Sequence, residues 1–586
     1  MGRITGAGTA FAAIAVAALL PLAAAFLVFP PHGHSLAYNL AWLASFDAQL
    51  WSGEPYPRWL AGLWGSAGGP DFFFYAPLPF WVASIVGGIA CPPCAPETIL
   101  AVGGYALLVA SGLAFHLLAR RFVAPAAATL GAVLYMVLPY HLAINWFARQ
   151  SLGEFAAYAF LPLIARFLIA MREDGRGGAG FALAVGGLVL SHLPSAVVAA
   201  VLVALAGGAL AARPGDGPSR PAFAARVLAW GAVGTMIGAA YWLPALALLG
   251  DVSGHLLYDA YHAWDGWMFL DGRPEPNPGF ATVLKVLLAA LTAAALAAHW
   301  LLAERRRETL AWAVLPVLAA WVLTTPVSWV LWRHAPVLPM IQFPWRFLML
   351  AEFGAGVALA LLAGAALARD GRSRGGRRRS GPRLALAAFA LPAVLLAAVA
   401  ARWSLLPQFD AAARAELAER LRLGSSAPEY LPPPALAARG AAGAGAWERR
   451  LAETPRVRAR PEGARVEVLH WAPRRIVLAI EAAGPARVTL RRLYWKHLVA
   501  TDPAAAGTLA LSVEAATGLA VLDAPAGARR VEIALPLLPS ERLGYALSAL
   551  AGLALAAGAL AGRRRWRRHL SRLREREGPG PAGPGG

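Results

Sequence analysis

The sequence predicts a polytopic α-helical membrane protein of about twelve transmembrane helices with a C-terminal external β-sandwich. Three observations carry that prediction. Of 586 residues, 58% are hydrophobic and only 15% charged, a balance foreign to a soluble chain of this size. Apolar runs of roughly 17–25 residues, the length that crosses a hydrocarbon core as helix, recur along the chain. Near the C-terminus the pattern changes to apolar/polar alternation between turn residues, which is the signature of antiparallel strands.

The first apolar run, 7–29, follows Arg3. It exceeds the usual 7–15-residue core of a signal peptide, so a retained anchor is preferred over cleavage at the small residues 22–25. Basic residues cluster in short loops: Arg120-Arg121, Arg172 to Arg176, Arg213 to Arg226, Arg305 to Arg307, Arg369 to Arg383, and the tail from Arg563. Placing these inside gives crossings at 7–29, 97–119, 122–139, 155–171, 180–193, 195–212, 227–247, 281–302, 309–326, 346–368, 384–401 and 542–562. Both termini are then cytoplasmic, in a bacterial-type inner membrane. The chain divides into a transmembrane unit 1–401, an external block 402–541, a last helix 542–562 and a basic cytoplasmic tail 563–586.

By the same parity the long segment 30–96 is an external loop. Its run 53-GEPYPRWLAGLWGSAGGPDFFFYAPLPFW-81 is too broken by proline and glycine to span. The apolar piece 78–90 is too short to cross and is expected in or on the membrane surface. Tyr56, Trp59, Phe72, Phe73, Phe74, Tyr75 and Trp81 read first as an aromatic belt at headgroup level, second as contacts for sugar or a prenyl chain. In 402–541, a helix is expected at 409–423 and strands at 464–471, 475–482, 487–495, 508–515, 519–524 and 530–537.

The formal net charge of +20 does not indicate nucleic acid. The basic residues sit where positive-inside bias puts them, and anionic membrane lipid is a sufficient partner. Two cysteines, Cys91 and Cys94, are too few for a four-thiolate zinc site. A local disulfide and a pair of inert thiols remain as readings.

Several motifs then occur in order: Gly53-x-x-Tyr56-Pro57-Arg58-Trp59, Gly68-Gly69-Pro70, Phe74-Tyr75-x-Pro77-Leu78, 139-PYHLAINWFARQSLGEFAAYAFLPL-163, 191-SH-192, 241-YWLPAL-246, 341-IQFPWRFL-348, 493-LYWKHLVATD-502 and 519-LAVLDAPAGARRVEI-533. Together they resemble bacterial membrane proteins labelled 6-pyruvoyl-tetrahydropterin synthase-related, which look like an offshoot of the C-type glycosyltransferase superfamily. The resemblance implies a multi-helix enzyme that uses a polyprenyl-phosphate sugar as donor, with a general base in the first external loop. One departure stands out. Where relatives carry His-Asp and a second His, 33-GHSLAYNL-40 has Ser35 and Asn39, so the base must come from elsewhere.

Inverting glycosyl transfer needs a base for the acceptor hydroxyl, a cation for the departing phosphate and a surface for the sugar. Asp47, on an amphipathic stretch, and Glu154, five residues after Arg149, are the candidate catalytic carboxylates. The alternatives are a solvated helix-face acid and a capping or Arg–Glu pair. Arg58 and Arg346 are the preferred phosphate binders, because a guanidinium matches phosphate oxygens as a fork. Arg149 and Arg333 share that argument more weakly. Tyr75 and Gln342, inside the matching motifs, join the substrate-binding set with His34 and His192; His141 is placed on the same side. No metal set is assigned, although a divalent cation is left open. The loop 251–272, with four Asp, two His and two Trp, reads as a sugar-covering flap or a solvated cap.

The leading function is a membrane glycosyltransferase acting on the external face. The alternative is a non-catalytic glycan- or glycolipid-binding protein that has lost the loop acid. A transporter ranks third, since no internal repeat and few mid-helix charges are present.

Overall fold

The computed structural model describes residues 8–19, 33–213, 217–372, 411–504 and 507–576. Seven helices are long and apolar enough to cross a membrane, or eight if a bent pair counts as one span. Pro96–Ala119 (α4) is followed by Pro125–Ala148, an α-helix Pro125–Met136 (α5) that continues as a π-helical turn Tyr140–Ala148. The span Leu152–Glu173 contains Leu152–Ala157 (α6) and Phe160–Glu173 (α7), and Leu193–Ala212 (α9) is next. Pro278–Leu301 (α12), the span Ala303–Thr324 with Leu315–Thr324 (α13), and Pro344–Ala368 within Leu348–Arg372 (α14) complete the set.

The expected count of twelve is not reached among the described residues. The run 384–401 and much of 7–29 lie outside them; of the latter only Gly8–Leu19 (α1) is described. The expected 180–193 is a helix Gly178–Ser191 (α8) of 14 residues, about 21 Å long and short of a hydrocarbon core. The expected straight 227–247 is two helices, Arg220–Ile237 (α10) and Ala239–Ala247 (α11), bent by 72°. Hydropathy carries no record of the bend. Ser548 makes it: its hydroxyl bonds the Met236 and Ile237 carbonyls at 3.1 and 2.9 Å and accepts from Ala240 N–H at 3.0 Å. Ser548 belongs to the long C-terminal helix Pro539–Arg576 (α18), which contains the expected 542–562. A Cβ on Gly544 of that helix would lie 2.6 Å from the Ala239 carbonyl oxygen, so the helices meet backbone to backbone.

The basic loops gather at one end of the bundle. Arg121 pairs with Glu173, Arg305 donates to the Phe122 carbonyl, and Arg172 donates to the Arg213 carbonyl. The opposite helix ends carry the loops around residues 149, 192, 250 and 342.

Nine strands form two antiparallel sheets in the orders β1-β4-β8-β7 and β2-β3-β9-β5-β6. The strands are Val457–Arg460 (β1), Arg465–Ala472 (β2), Arg475–Ala482 (β3), Ala486–Leu493 (β4), Val499–Asp502 (β5), Gly507–Leu509 (β6), Leu511–Glu514 (β7), Leu519–Ala524 (β8) and Gly527–Ala534 (β9). Ile476, Leu478 and Ile480 of β3, with Val531 and Ile533 of β9, share one buried core with Val488, Leu490 and Leu522 of the other sheet. That is the alternation read from sequence. The unexpected β1 and β5 have four residues each, too few for a period to show, and the expected strand 508–515 is divided into β6 and β7. Ala411–Arg422 (α15), Pro433–Ala442 (α16) and Ala444–Glu453 (α17) precede the sheets.

The loop 53–81 is where bundle and sheets meet. Trp59, Trp64, Phe72 and Phe73 are fully buried. Trp59 packs on Trp495 at 6.1 Å with Arg492 over its ring at 3.7 Å, and Trp64 packs on Trp447 at 5.7 Å. These side chains are therefore core between two layers. The aromatic-belt reading is corrected for Trp59, Phe72 and Phe73, which distant segments of the same chain cover, while Tyr56 and Trp81 are half-buried. Leu78–Ala90 (α3) packs on α4, with Ile89 75% exposed. Cys91 and Cys94, at its end, are joined as a local disulfide.

Arg58 anchors the loop from below. Its Nε lies 3.1 Å from Glu541 Oε1, both side chains fully buried, and its Nη2 donates to the Ala240 carbonyl at 2.5 Å. Glu541 also receives Arg474. Removing one partner leaves a desolvated charge, so Glu541→Ala should cost about 3–5 kcal/mol, read as a lowered unfolding midpoint in detergent.

Candidate functional site

A cavity of about 830 Å³ opens between the loop ends of the bundle, the loop 53–81 and the segment before the sheets. Its head is polar, with Arg149, Arg346, His192, His34, Gln342 and Glu429. Its other wall is aliphatic, from Leu193 and Val197 of α9, Ala245 and Leu246 of α11, and Val337 and Met340. Leu246, Val337 and Met340 are 46%, 49% and 41% exposed, so this wall reaches the side of the bundle.

The polar head is built by two irregular backbone pieces. The π-turn Tyr140–Ala148 starts against Glu352 of α14, whose carboxylate accepts from Tyr140 N–H at 2.6 Å, His141 N–H at 2.8 Å and Tyr158 OH at 2.8 Å. Free N–H groups at a helix start need such an acceptor when buried. At the other end of the turn, the Ala148 and Arg149 carbonyls accept from His34 and Ser35 N–H at 3.2 and 2.9 Å. This delivers Arg149 and the start of Leu36–Trp51 (α2) to the cavity together.

The second piece is Gln342. Its φ of 67° and ψ of −56°, with Phe343 N–H bonded to the Ile341 carbonyl at 2.8 Å, describe the rare positive-φ γ-turn. A non-glycine residue there costs about 1–3 kcal/mol and persists where its surroundings hold it. Gln342 Nε2 donates to the Leu257 carbonyl at 2.7 Å, and its Oε1 accepts from Arg346 at 3.2 Å. Arg346 also donates to the Ile341 carbonyl at 2.5 Å.

Glu154 sits behind both arginines. It is fully buried, accepts from Tyr140 OH at 2.5 Å and Arg149 Nη1 at 2.8 Å, and lies 3.6 Å from Arg346 Nε. Trp345 lies under Arg149 at 4.5 Å and stacks on Phe343 at 4.8 Å. Two guanidinium groups thus share one carboxylate, leaving one uncompensated positive charge facing the cavity. A desolvated cation pair of this kind favours a bound anion.

Of the residues singled out by sequence, the structure brings Tyr75, Arg149, His34, His192, Gln342 and Arg346 to the cavity wall, with Glu154 directly behind. His192 Nδ1 is 2.8 Å from Ser195 Oγ. Burial and the nearby Arg149 guanidinium hold the His34 imidazole below its usual range. Burial pushes the Tyr75 phenol up to about 12, while Arg346 and Arg149 oppose the shift and Glu429 adds to it.

Four candidates are not brought there. Asp47 lies elsewhere on α2 and does not line the cavity; it sits beside Ser84, and burial raises its carboxyl. Trp42 and Ser35 of the same region do line it, and five residues past Trp42 is about 140° around a helix. Arg58 is held in the Glu541 pair below the loop. His141 is likewise away from the cavity, stacked on Tyr158 at 3.8 Å, and Arg333 is exposed beside Trp329. In the loop 251–272, Asp251 binds His497 at 2.7 Å and Lys496, tying bundle to sheets, while Tyr258, Tyr261, His262 and Trp267 line the cavity. Ser35 faces the cavity and Asn39 instead donates to the Gln150 carbonyl at 2.6 Å.

Sequence reasoning missed Glu429. It lies in a turn Pro428–Tyr430 and is the only carboxylate lining the cavity among the described residues. Its proline-rich surroundings show no period to mark them as part of a site. Burial raises its carboxyl above the usual range, with Asp259 adding to the shift and His262 opposing it. Among the described residues no three His, Cys, Asp or Glu side chains are placed to share a metal ion.

No family model matches the chain and no curated protein does, so the resemblance to the 6-pyruvoyl-labelled proteins stands without support from either. Among solved structures, the chain is similar to the arabinofuranosyltransferase AftD from mycobacteria at 19% identity and a TM-score of 0.39. The match covers 66% of this chain and 26% of that one. The chain thus spans about a quarter of that neighbour, and the likeness is too low to carry an argument.

A carboxyl raised by burial binds its proton more tightly folded than unfolded. Its contribution is favourable at low pH and is lost as pH rises from the unfolded value of about 4.3 through the folded one. Glu429→Gln should therefore raise the melting temperature at about pH 7.5 and leave it nearly unchanged near pH 4, as read by thermal unfolding in detergent.

Proposed function

We propose that the chain is a membrane glycosyltransferase whose cavity holds a polyprenyl-phosphate sugar, and that the cavity opens on the external face. The supporting observation is the division of this one cavity into a head with two arginines sharing one carboxylate and an aliphatic side wall. A free sugar phosphate has no use for the aliphatic wall, and a neutral lipid has none for the unbalanced arginines. A phosphate joined to a prenyl chain satisfies both. Arg149 and Arg346 take the phosphate oxygens, His192 and Gln342 flank them, and the chain lies along Leu193, Val197, Leu246 and Met340. The basic loops at the far end of the bundle support the external placement of the cavity, with the sheets on the same side.

In this reading the arginines stabilise the leaving phosphate as the bond to the sugar breaks, which is the larger part of what such a site must do. Glu154 keeps both guanidinium groups in place. A second reading, binding without transfer, is favoured by Ser35 at the position of the expected loop acid.

Arg346→Ala should weaken binding of polyprenyl phosphate by roughly 10- to 100-fold, the loss of one charge-assisted contact. Arg149→Ala should do the same, whereas Asp47→Asn should change affinity by less than about twofold. Purified protein titrated with a polyprenyl phosphate under native mass spectrometry measures all three. Unchanged binding in both arginine variants would refute the headgroup assignment.

A further inference from the structure

We propose that Glu429 is the proton acceptor of the transfer, supplied by the segment between bundle and sheets in place of an acid from the first loop. The inference rests on the donor reading above and adds the group that this reading lacks.

The buried carboxylates of the site region are otherwise committed. Glu154 serves two arginines, Glu352 caps the π-turn, Asp71 accepts from Trp42 and Ser426, and Glu541 takes Arg58 and Arg474. Glu429 is different. Among the described residues it forms no ion pair within 4.0 Å, and it faces the cavity that Arg149 and Arg346 also face. The carboxylate and the two cations thus line one cavity without pairing to each other. A base bonded to the phosphate-binding arginines would be neutralised by them.

The position is also rigid. Two residues beyond Glu429, the Leu431 carbonyl accepts from both N–H and Oγ of Ser253 at 2.9 Å. Three residues before it, Ser426 donates to Asp71 at 2.5 Å. The next side chain, Tyr430, stacks on Phe74 at 5.8 Å with planes 4° apart. Pro428 and Pro432 fix φ on either side. A catalytic carboxylate must be held within about half an ångström of its working place, and these contacts hold the backbone on both sides. The surrounding groups suit a base that cycles its proton. Partial burial raises its proton affinity, which brings a carboxylate nearer the working range for proton abstraction.

The step balances as follows. The acceptor hydroxyl gives its proton to Glu429 as its oxygen bonds to the anomeric carbon. The bond from that carbon to the phosphate oxygen breaks, and the electron pair leaves on the phosphate, held by Arg149 and Arg346. Glu429 then returns the proton to water. A single displacement of this kind inverts the anomeric carbon.

The test uses full-length protein in nanodiscs with a panel of tritium-labelled polyprenyl-phosphate hexoses and pentoses. Octyl glycosides and water serve as acceptors. Donor binding and donor consumption are measured separately for wild type, Glu429→Gln and Glu429→Asp. The expected result is binding within about twofold of wild type in both variants, with consumption down about 10²–10⁴-fold in Glu429→Gln and less in Glu429→Asp. Consumption by Glu429→Gln at the wild-type rate would overturn the assignment and leave the donor reading intact. A parallel loss of binding in both variants would move Glu429 to the binding set, which also overturns it. Wild-type protein that binds donor and consumes none overturns the base and supports binding without transfer. Wild-type protein that binds no donor removes the donor reading itself.

Discussion

The geometry of the cavity depends on one buried carboxylate. Asp71 accepts from Trp42 Nε1 at 3.0 Å and from Ser426 Oγ at 2.5 Å, while Trp42 also donates to Ser426 at 2.7 Å. Three parts of the chain meet there: the helix α2, the broken loop after it, and the segment leading to the sheets. The approach tolerates no side chain at Gly69, where a Cβ would lie 2.4 Å from Asp71 Oδ2. Burial lifts the Asp71 carboxyl to about 6, so this junction carries charge near neutrality at a cost in desolvation that its two donors offset. Three residues along the chain from Ser426 is Glu429. The position of the cavity's acid is therefore set by the loop that the sequence shows as its most irregular feature.

The head of the cavity is held in an unrelaxed state by its scaffold. Two arginines against one glutamate, and a side chain at φ of 67° in a γ-turn, both oppose stability. Each is kept in place by neighbouring groups. Glu352 closes the π-turn that carries Arg149, and the Leu257 carbonyl holds Gln342. Departures from local rules concentrated at one cavity are what a binding site preorganised for an anion requires.

Much of the fold was legible from hydropathy and period alone. Seven helices long and apolar enough to cross lie on expected runs, and the longer strands fall within a few residues of their alternating segments. What escaped were properties that belong to pairs of distant segments. The bend after Ile237 is created by Ser548, and the burial of Trp59 and Trp64 by Trp495 and Trp447. Neither has a local sign. For the site, motif residues around 149, 192 and 342–346 meet at one cavity because they end helices, and helix ends converge. Asp47 was misplaced because α2 is buried on most of its surface, so its sequence does not say which face meets the cavity. Glu429 was missed because a proline-rich turn has no face at all.

The side wall of the cavity includes the partly exposed Leu246, Val337 and Met340, and under the proposed function this wall is the route by which a prenyl chain would enter from the lipid. A ligand with a prenyl chain arriving by that route never leaves the plane of the membrane. Its search is confined to two dimensions, and it meets the protein at its concentration within the lipid film, far above its nominal concentration in the bulk. Modest intrinsic affinity then suffices for occupancy. In the proposed reading the spent carrier would leave by the same path, returning to the lipid pool without its tail crossing water.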